Sequence, residues 1–282
     1  MRILIFNGSP MANQDRAVAA GGRTNTALFT EALSEQQKDL EFFSLNVADG
    51  ETFPQGLGLA DFDGVVISGS PLNVYSGEPR VTVQIDLARD IYHAGVPCFG
   101  SCWGLQLMTA ALGGSVRLNP NGREFGIARN ITLNDAGRVH PLFAGKAAAF
   151  DALCSHEDEV ATLPSGATVL AGNAVSRVQA AEFSDGKKSF WGVQYHPEFD
   201  LPMIATLLQL RATSFAREGK FADPADATAM ATDFRALAAD PGLTHLAWRY
   251  GMTAEVLQTL PRRREFANWL QTKVGPYSAS RV

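Results

Sequence analysis

A cysteine held between two glycines, in Phe99-Gly100-Ser101-Cys102-Trp103-Gly104-Leu105-Gln106, restricts the fold of this chain more than any other feature. The stretch Gly95-Val96-Pro97-Cys98-Phe99-Gly100 reads as a short buried strand, and Leu105 to Leu112 reads as a helix that stops at Gly113-Gly114. Cys102 therefore stands where strand becomes helix. Glycines at 100 and 104 let the backbone turn sharply and let the two elements approach without a side-chain clash, which pushes the sulfur outward. At a helix start, unpaired amides and the positive end of the dipole favour thiolate over thiol. Further along, Tyr195-His196-Pro197-Glu198 supplies an imidazole and a carboxylate. With the thiol these are the parts of a nucleophile, base and orienter set, so enzymatic acyl transfer is the expectation.

The pattern around the turn predicts the architecture. Arg2–Phe6, Leu40–Leu45 and Gly64–Ser68 read as strands, and Asn25 to about Gln37 and Pro79 to His93 as helices. Near-continuous apolar strands alternating with helices imply an α/β, doubly wound, largely parallel sheet covered on both faces. From Ser115 to Gln194 the strand-like runs shorten, as in Phe125–Ile131 and Ala167–Ala171, so the later half is expected to be mixed. Such sheets carry their chemistry at the carboxyl ends of strands. Ser70 and Cys102 both follow strands, and Ser189–Gln194 delivers His196 to a strand end. A helix is expected from about Pro202 to Glu218, closing a main domain of residues 1–218. An alanine-rich helical extension, residues 219–282, follows with breaks at Pro224, Pro241-Gly242 and Pro261. Its aromatics, Trp248, Tyr250, Phe266 and Trp269, read as packing residues.

Composition excludes several classes. The 282 residues, 46% of them hydrophobic, suffice for one substantial core plus a small appendage. A formal charge of −5 with dispersed basic residues gives no nucleic-acid surface, and Arg262-Arg263-Arg264 reads as a solvated helix face. No run approaches the roughly 18 apolar residues of a membrane span, and the first residues are too short for a signal segment, so no membrane partner and a cytoplasmic location are expected. The three cysteines, Cys98, Cys102 and Cys154, fit free thiols, and no metal site is expected because no further ligands stand at suitable spacing.

The two motifs, together with the small-residue turn Gly69-Ser70-Pro71 closing the strand Val65–Ser68, resemble the class I glutamine amidotransferase family. The likeness extends from residue 1 to about residue 205, and Ser155-His156-Glu157-Asp158 falls where relatives similar to the amidotransferase part of GMP synthase have Ser-His-x-Asp. The resemblance implies that Cys102 attacks the side-chain amide of glutamine to form a γ-glutamyl thioester. The backbone amides of Ser70 and Trp103 would form the oxyanion hole. His196 would protonate ammonia and then activate water, Glu198 would orient His196, and Gln106 would help bind the substrate. No cofactor is implied. Ser70 stands where the family's oxyanion loop usually has a second glycine, which restricts a peptide flip there.

The ammonia acceptor is open. Only 84 residues follow Glu198, and no P-loop signature is present. The expectation is a stand-alone hydrolase of glutamine or another γ-glutamyl amide, or a glutaminase subunit that passes ammonia to a separate synthetase. Two other classes remain. Asn7-Gly8-Ser9-Pro10 with Gly21-Gly22-Arg23-Thr24-Asn25 resembles the phosphate loop of FMN-binding flavodoxin-like reductases. A catalytically silent regulatory or scaffold protein is the other.

Overall fold

The computed structural model describes residues 1–186 and 188–281. Strands β1 (Arg2–Phe6), β2 (Glu41–Leu45), β3 (Gly64–Ile67) and β4 (Cys98–Ser101) are interleaved with helices α1 (Met11–Ala19), α2 (Asn25–Ser34), α3 (Pro79–Ala94) and α4 (Trp103–Ala111). There follow β5 (Ser115–Leu118), β6 (Glu124–Leu133), α5 (Asp135–Val139), β7 (Ala149–His156), β8 (Asp158–Thr162), β9 (Ala167–Gly172), β10 (Ala180–Ser184) and β11 (Ser189–Val193). Helices α6 (Leu201–Arg217) and α7 (Pro224–Ala239) lead into shorter helical segments.

One nine-stranded sheet runs in the order β2-β1-β3-β4-β11-β10-β9-β6-β7. Its first five strands pair in parallel, and from β11 onward the pairing is antiparallel. Successive side chains of a strand point to opposite faces. In β1, Ile3 and Ile5 join Phe29 of α2 in one core layer, while Leu4 and Phe6 join Ile91 of α3 and Leu107 of α4 in the other. Burial on both faces is why these strands read as unbroken apolar runs. The doubly wound expectation therefore holds, and the later half is mixed as the shortened runs imply.

Helix ends follow local chemistry. The Thr24 hydroxyl accepts from the Ala27 amide at 3.2 Å to start α2, and α3 begins on Pro79 and stops at Gly95 in the left-handed region. The Asp200 carboxylate accepts from the Met203 amide at 2.9 Å to start α6, directly after the His196 motif.

The last sixty residues fold back onto the sheet. Phe266 and Trp269 are fully buried, with ring centroids 5.0 Å and 6.1 Å from that of Phe99 on β4, the strand that leads to Cys102. Trp269→Ala should destabilise the protein by about 3–5 kcal/mol, the usual cost of deleting a buried indole, as read from urea unfolding. Two expectations fail here. Arg262 and Arg263 are not a solvated face: Arg263 is 1% exposed and pairs with Glu35 and, at 3.3 Å, with Glu31 at the end of α2. The tail crosses α2 where two carboxylates offset the burial of the guanidinium. Trp248, expected to pack, is 81% exposed.

No helix among the described residues is long and apolar enough to cross a membrane. Among the same residues no cluster of His, Cys, Asp and Glu is arranged to hold a metal ion.

Candidate active site

The carboxyl ends of β3, β4 and β11, three neighbours in the sheet, deliver Gly69-Ser70, Cys102 and His196 to one rim. The turn at Cys102 is as tight as its glycines suggest. A Cβ on Gly100 would lie 2.7 Å from the Gly104 carbonyl carbon, and one on Gly104 would lie 2.7 Å from the Ile67 carbonyl oxygen. Cys102 itself takes φ +51° and ψ −101°, a conformation that non-glycine residues hold only under strain, and its amide is anchored to the Val193 carbonyl of β11 at 2.8 Å. Its thiol points to the Ser155 carbonyl oxygen at 3.8 Å.

His196 is 3% exposed and lines the same cavity as the sulfur. Its Nδ1 lies 2.7 Å from Glu198 Oε1, and the ring stacks on Phe199 with centroids 3.9 Å apart and planes within 2°. Glu198 is 1% exposed; its Oε1 also accepts from Ser101 Oγ at 2.8 Å, while Oε2 has no partner among the described residues. Burial disfavours the imidazolium, but the Glu198 carboxylate and then the Cys102 sulfur outweigh it and push His196 up to about 10. An imidazole held this way, with Nδ1 committed to Glu198, carries its proton at neutral pH beside the Cys102 sulfur in the same cavity. Such a set can donate a proton to a departing amine and recover it from water. The other two thiols are inert by contrast, since burial pushes Cys98 and Cys154 well above the ordinary thiol range.

Gly69 faces this ring. A Cβ there would come 2.7 Å from His196 Cε1, so Gly69→Ala should displace the imidazole and lower kcat about 100-fold, with modest loss in unfolding free energy. Measuring kcat and urea midpoint on the same preparation separates displacement from misfolding.

Ser70 lines both cavities that meet at Cys102, and its amide donates to no acceptor among the described residues. The Trp103 amide is at the first position of α4, where helical amides lack an intrahelical partner. The Trp103 side chain turns inward instead, its Nε1 donating to Gln84 Oε1 at 3.0 Å. Gln106 lines a cavity together with Asn73 and Asp158, but its Nε2 donates to the Asp158 carbonyl and Gln194 Oε1, both at 3.3 Å. His156 is spoken for on both nitrogens, by the Asp158 carbonyl at 3.0 Å and by Glu124 at 2.9 Å, which makes it a framework residue. The Asp158 carboxylate accepts from Asn73 at 2.7 Å and Tyr75 at 2.9 Å.

Two residues went unassigned in the sequence. Ser101 holds Glu198, a role hidden by the cysteine beside it. Arg211 lines both cavities from α6, and the signal for it was an arginine in the apolar stripe Ile204, Leu208, Phe215. The loop that resembles a phosphate cradle is used differently: the Asn7 amide group donates to Thr26, Ser44 and Asn46, and Ser9 and Asn25 form one wall of the cavity beside Cys102.

The family profile described as glutamine amidotransferase class-I matches residues 21–206, the span that holds all three strand ends. The chain belongs to the class I glutamine amidotransferase family. Among its relatives, a γ-glutamyl-L-1-hydroxyisopropylamide hydrolase from a Pseudomonas species is 33% identical over 224 residues, covering 78% of this chain and 75% of that protein. The glutamine-hydrolyzing GMP synthase of Streptomyces avermitilis is 40% identical over 135 residues, which is 48% of this chain but only 23% of the synthase. A glutamine amidotransferase from Thermotoga maritima shares the fold, with a TM-score of 0.66, 18% identity and coverage of 97% and 98% of the two chains. Membership in this amidotransferase family makes the chain a cysteine-dependent amide hydrolase, and the silent-scaffold alternative falls away.

Proposed function

We propose that the chain hydrolyses the side-chain amide of glutamine or a related γ-glutamyl amide, with Cys102 as nucleophile, His196 as acid and base and Glu198 as orienter. The observation that carries this is the shared cavity of Cys102 and His196, with the ring fixed at 2.7 Å by a buried carboxylate. The Cys102 thiolate attacks the γ-carbonyl carbon, and the oxyanion is received by the Ser70 and Trp103 amides, each such donor being worth about 3 kcal/mol. The C–N bond breaks as imidazolium passes its proton to the amine. Water then attacks the thioester, returns a proton to His196 and releases glutamate and thiolate. Gln106, anchored in the core, would shape the glutamyl pocket.

The decisive experiment is labelling with a diazo-ketone analogue of glutamine. One equivalent on Cys102, blocked by excess glutamine or γ-glutamyl amide, is the expected result; labelling elsewhere, or none, sinks the assignment. Steady ammonia or amine release by the purified chain would mark a stand-alone hydrolase. The glutamine-hydrolyzing relative supports a second version, a subunit feeding a separate synthetase, and turnover that waits for a second protein would select it.

A pH prediction follows from His196. Because its conjugate acid persists to about 10, kcat/KM for an amide should hold through neutral pH and fall only as pH climbs toward that value, where the leaving amine loses its proton donor. An alkaline limb near 7 would contradict the geometry.

A further inference from the structure

Two cavities meet at Cys102, and they differ in charge. The smaller, of about 240 Å³, holds Ser70, Gln106, Arg123 and Arg211 together with Glu157 and Asp158, a set that carries both signs. It suits a zwitterion such as the α-amino and α-carboxylate end of a glutamyl group. The larger, of about 300 Å³, contains His196, and its wall has three arginines, Arg16, Arg23 and Arg211, with no carboxylate among the described residues. Phe199, Met203, Leu207 and Leu210 supply its apolar side. On the reading proposed above, the amine half must leave from the His196 side, because that ring gives it a proton.

Ammonia needs no such space: it is about the size of one water, roughly 30 Å³. The arginines are also not equivalent. Arg23 is bound by Glu31 and Asp200, whereas Arg16 and Arg211 have no ion-pair or hydrogen-bond partner among the described residues. Arg211 is half-buried, and burial and then the nearby Arg123 hold its guanidinium below the usual arginine range. Guanidinium groups pair carboxylates in a bidentate fork.

We propose that the larger cavity is a leaving-group subsite, and that the substrate is a γ-glutamyl amide whose amine half combines an apolar body with a carboxylate, as in a γ-glutamyl amino acid. Arg211 and Arg16 receive that carboxylate, the aliphatic side chains of α6 receive the body, and the smaller cavity keeps the glutamyl end. This rests on the Cys102 and His196 reading and narrows its substrate.

The test compares kcat/KM of the full chain for γ-glutamyl-leucine, for γ-glutamyl-3-methylbutylamide, which is the same molecule without the leaving-group carboxylate, and for glutamine. The dipeptide should exceed its decarboxylated twin by about ten- to a hundredfold, the worth of one charged hydrogen-bonded contact, and both should exceed glutamine. Arg211→Gln should narrow the ratio between dipeptide and twin, and Arg16→Gln, on an exposed helix face where folding is not at risk, should narrow it in the same direction. Equal rates for the dipeptide and its twin, or equal losses on both in Arg211→Gln, overturn the leaving-group carboxylate and assign Arg211 to the glutamyl end. Glutamine as the best of the three overturns the subsite while leaving amide hydrolysis standing. Turnover of none of the three removes the hydrolase reading and this proposal with it.

Discussion

Cys102→Ala is expected to lower kcat on any γ-glutamyl amide by about 10⁴-fold or more, the scale seen when a nucleophile is deleted from an acyl-transfer set. Full turnover by a folded alanine variant would take Cys102 out of the chemistry. The same position carries a stability signature that tests the geometry independently. At φ +51° a Cβ costs of order 1–3 kcal/mol, and alanine keeps that strain whereas glycine relieves it. At ordinary sites glycine is about 0.5–1 kcal/mol less stable than alanine. Here the order should invert, with Cys102→Gly more stable than Cys102→Ala by about 1 kcal/mol in urea unfolding, although both are inactive. The nucleophile would then sit on a turn that the fold holds against its own preference, and that turn is what presents the sulfur. If the usual order of glycine and alanine is found, the elbow is not strained in solution.

What the sequence made legible divides along a physical line. β1, β3 and the strand before Cys102 were readable because burial on both faces forces unbroken apolar runs, and the elbow was readable because a close backbone approach admits only glycine at 100 and 104. Helix α1 was missed: of its nine residues only Gln14 and Ala17 are buried, so no apolar stripe marks it. Arg263 was misread for a different reason. Whether a guanidinium is solvated depends on where its counter-charges lie, and Glu31 and Glu35 are more than 200 residues away in the chain. The same holds at the site. Cys102, His196 and Glu198 sit in short motifs whose spacing announces them, whereas Arg211 becomes relevant only once α6 is laid over the sulfur. Local geometry is written locally; the distant counter-charges of Arg263 are not.

Glu198→Gln removes a buried charge whose partner lies two residues away, and its expected effect is nearly as large as loss of the thiol. An amide oxygen at the Oε1 position still accepts from Ser101 Oγ and His196 Nδ1, now 2.8 Å and 2.7 Å from it, and the new NH₂ occupies the place of Oε2, which has no partner among the described residues to lose. Packing is therefore conserved while the charge is removed. Burial alone then acts on the imidazolium against the pull of the Cys102 sulfur, so His196 should drop from about 10 toward the ordinary range, and kcat should fall by about 10⁴-fold, as for a triad acid made neutral. Two pH readouts separate this from simple misfolding. The alkaline limb of the residual activity should move to lower pH. Stability should change as well: a histidine raised above its unfolded value of 6.5 gives its full stabilisation below that pH and loses it as pH rises toward about 10, so the wild type should weaken across this window. The glutamine variant should weaken less over the same range, since its folded and unfolded values lie closer together. An unchanged alkaline limb, or an unchanged slope of unfolding free energy between pH 7 and 10, would mean that the carboxylate is not what keeps His196 charged.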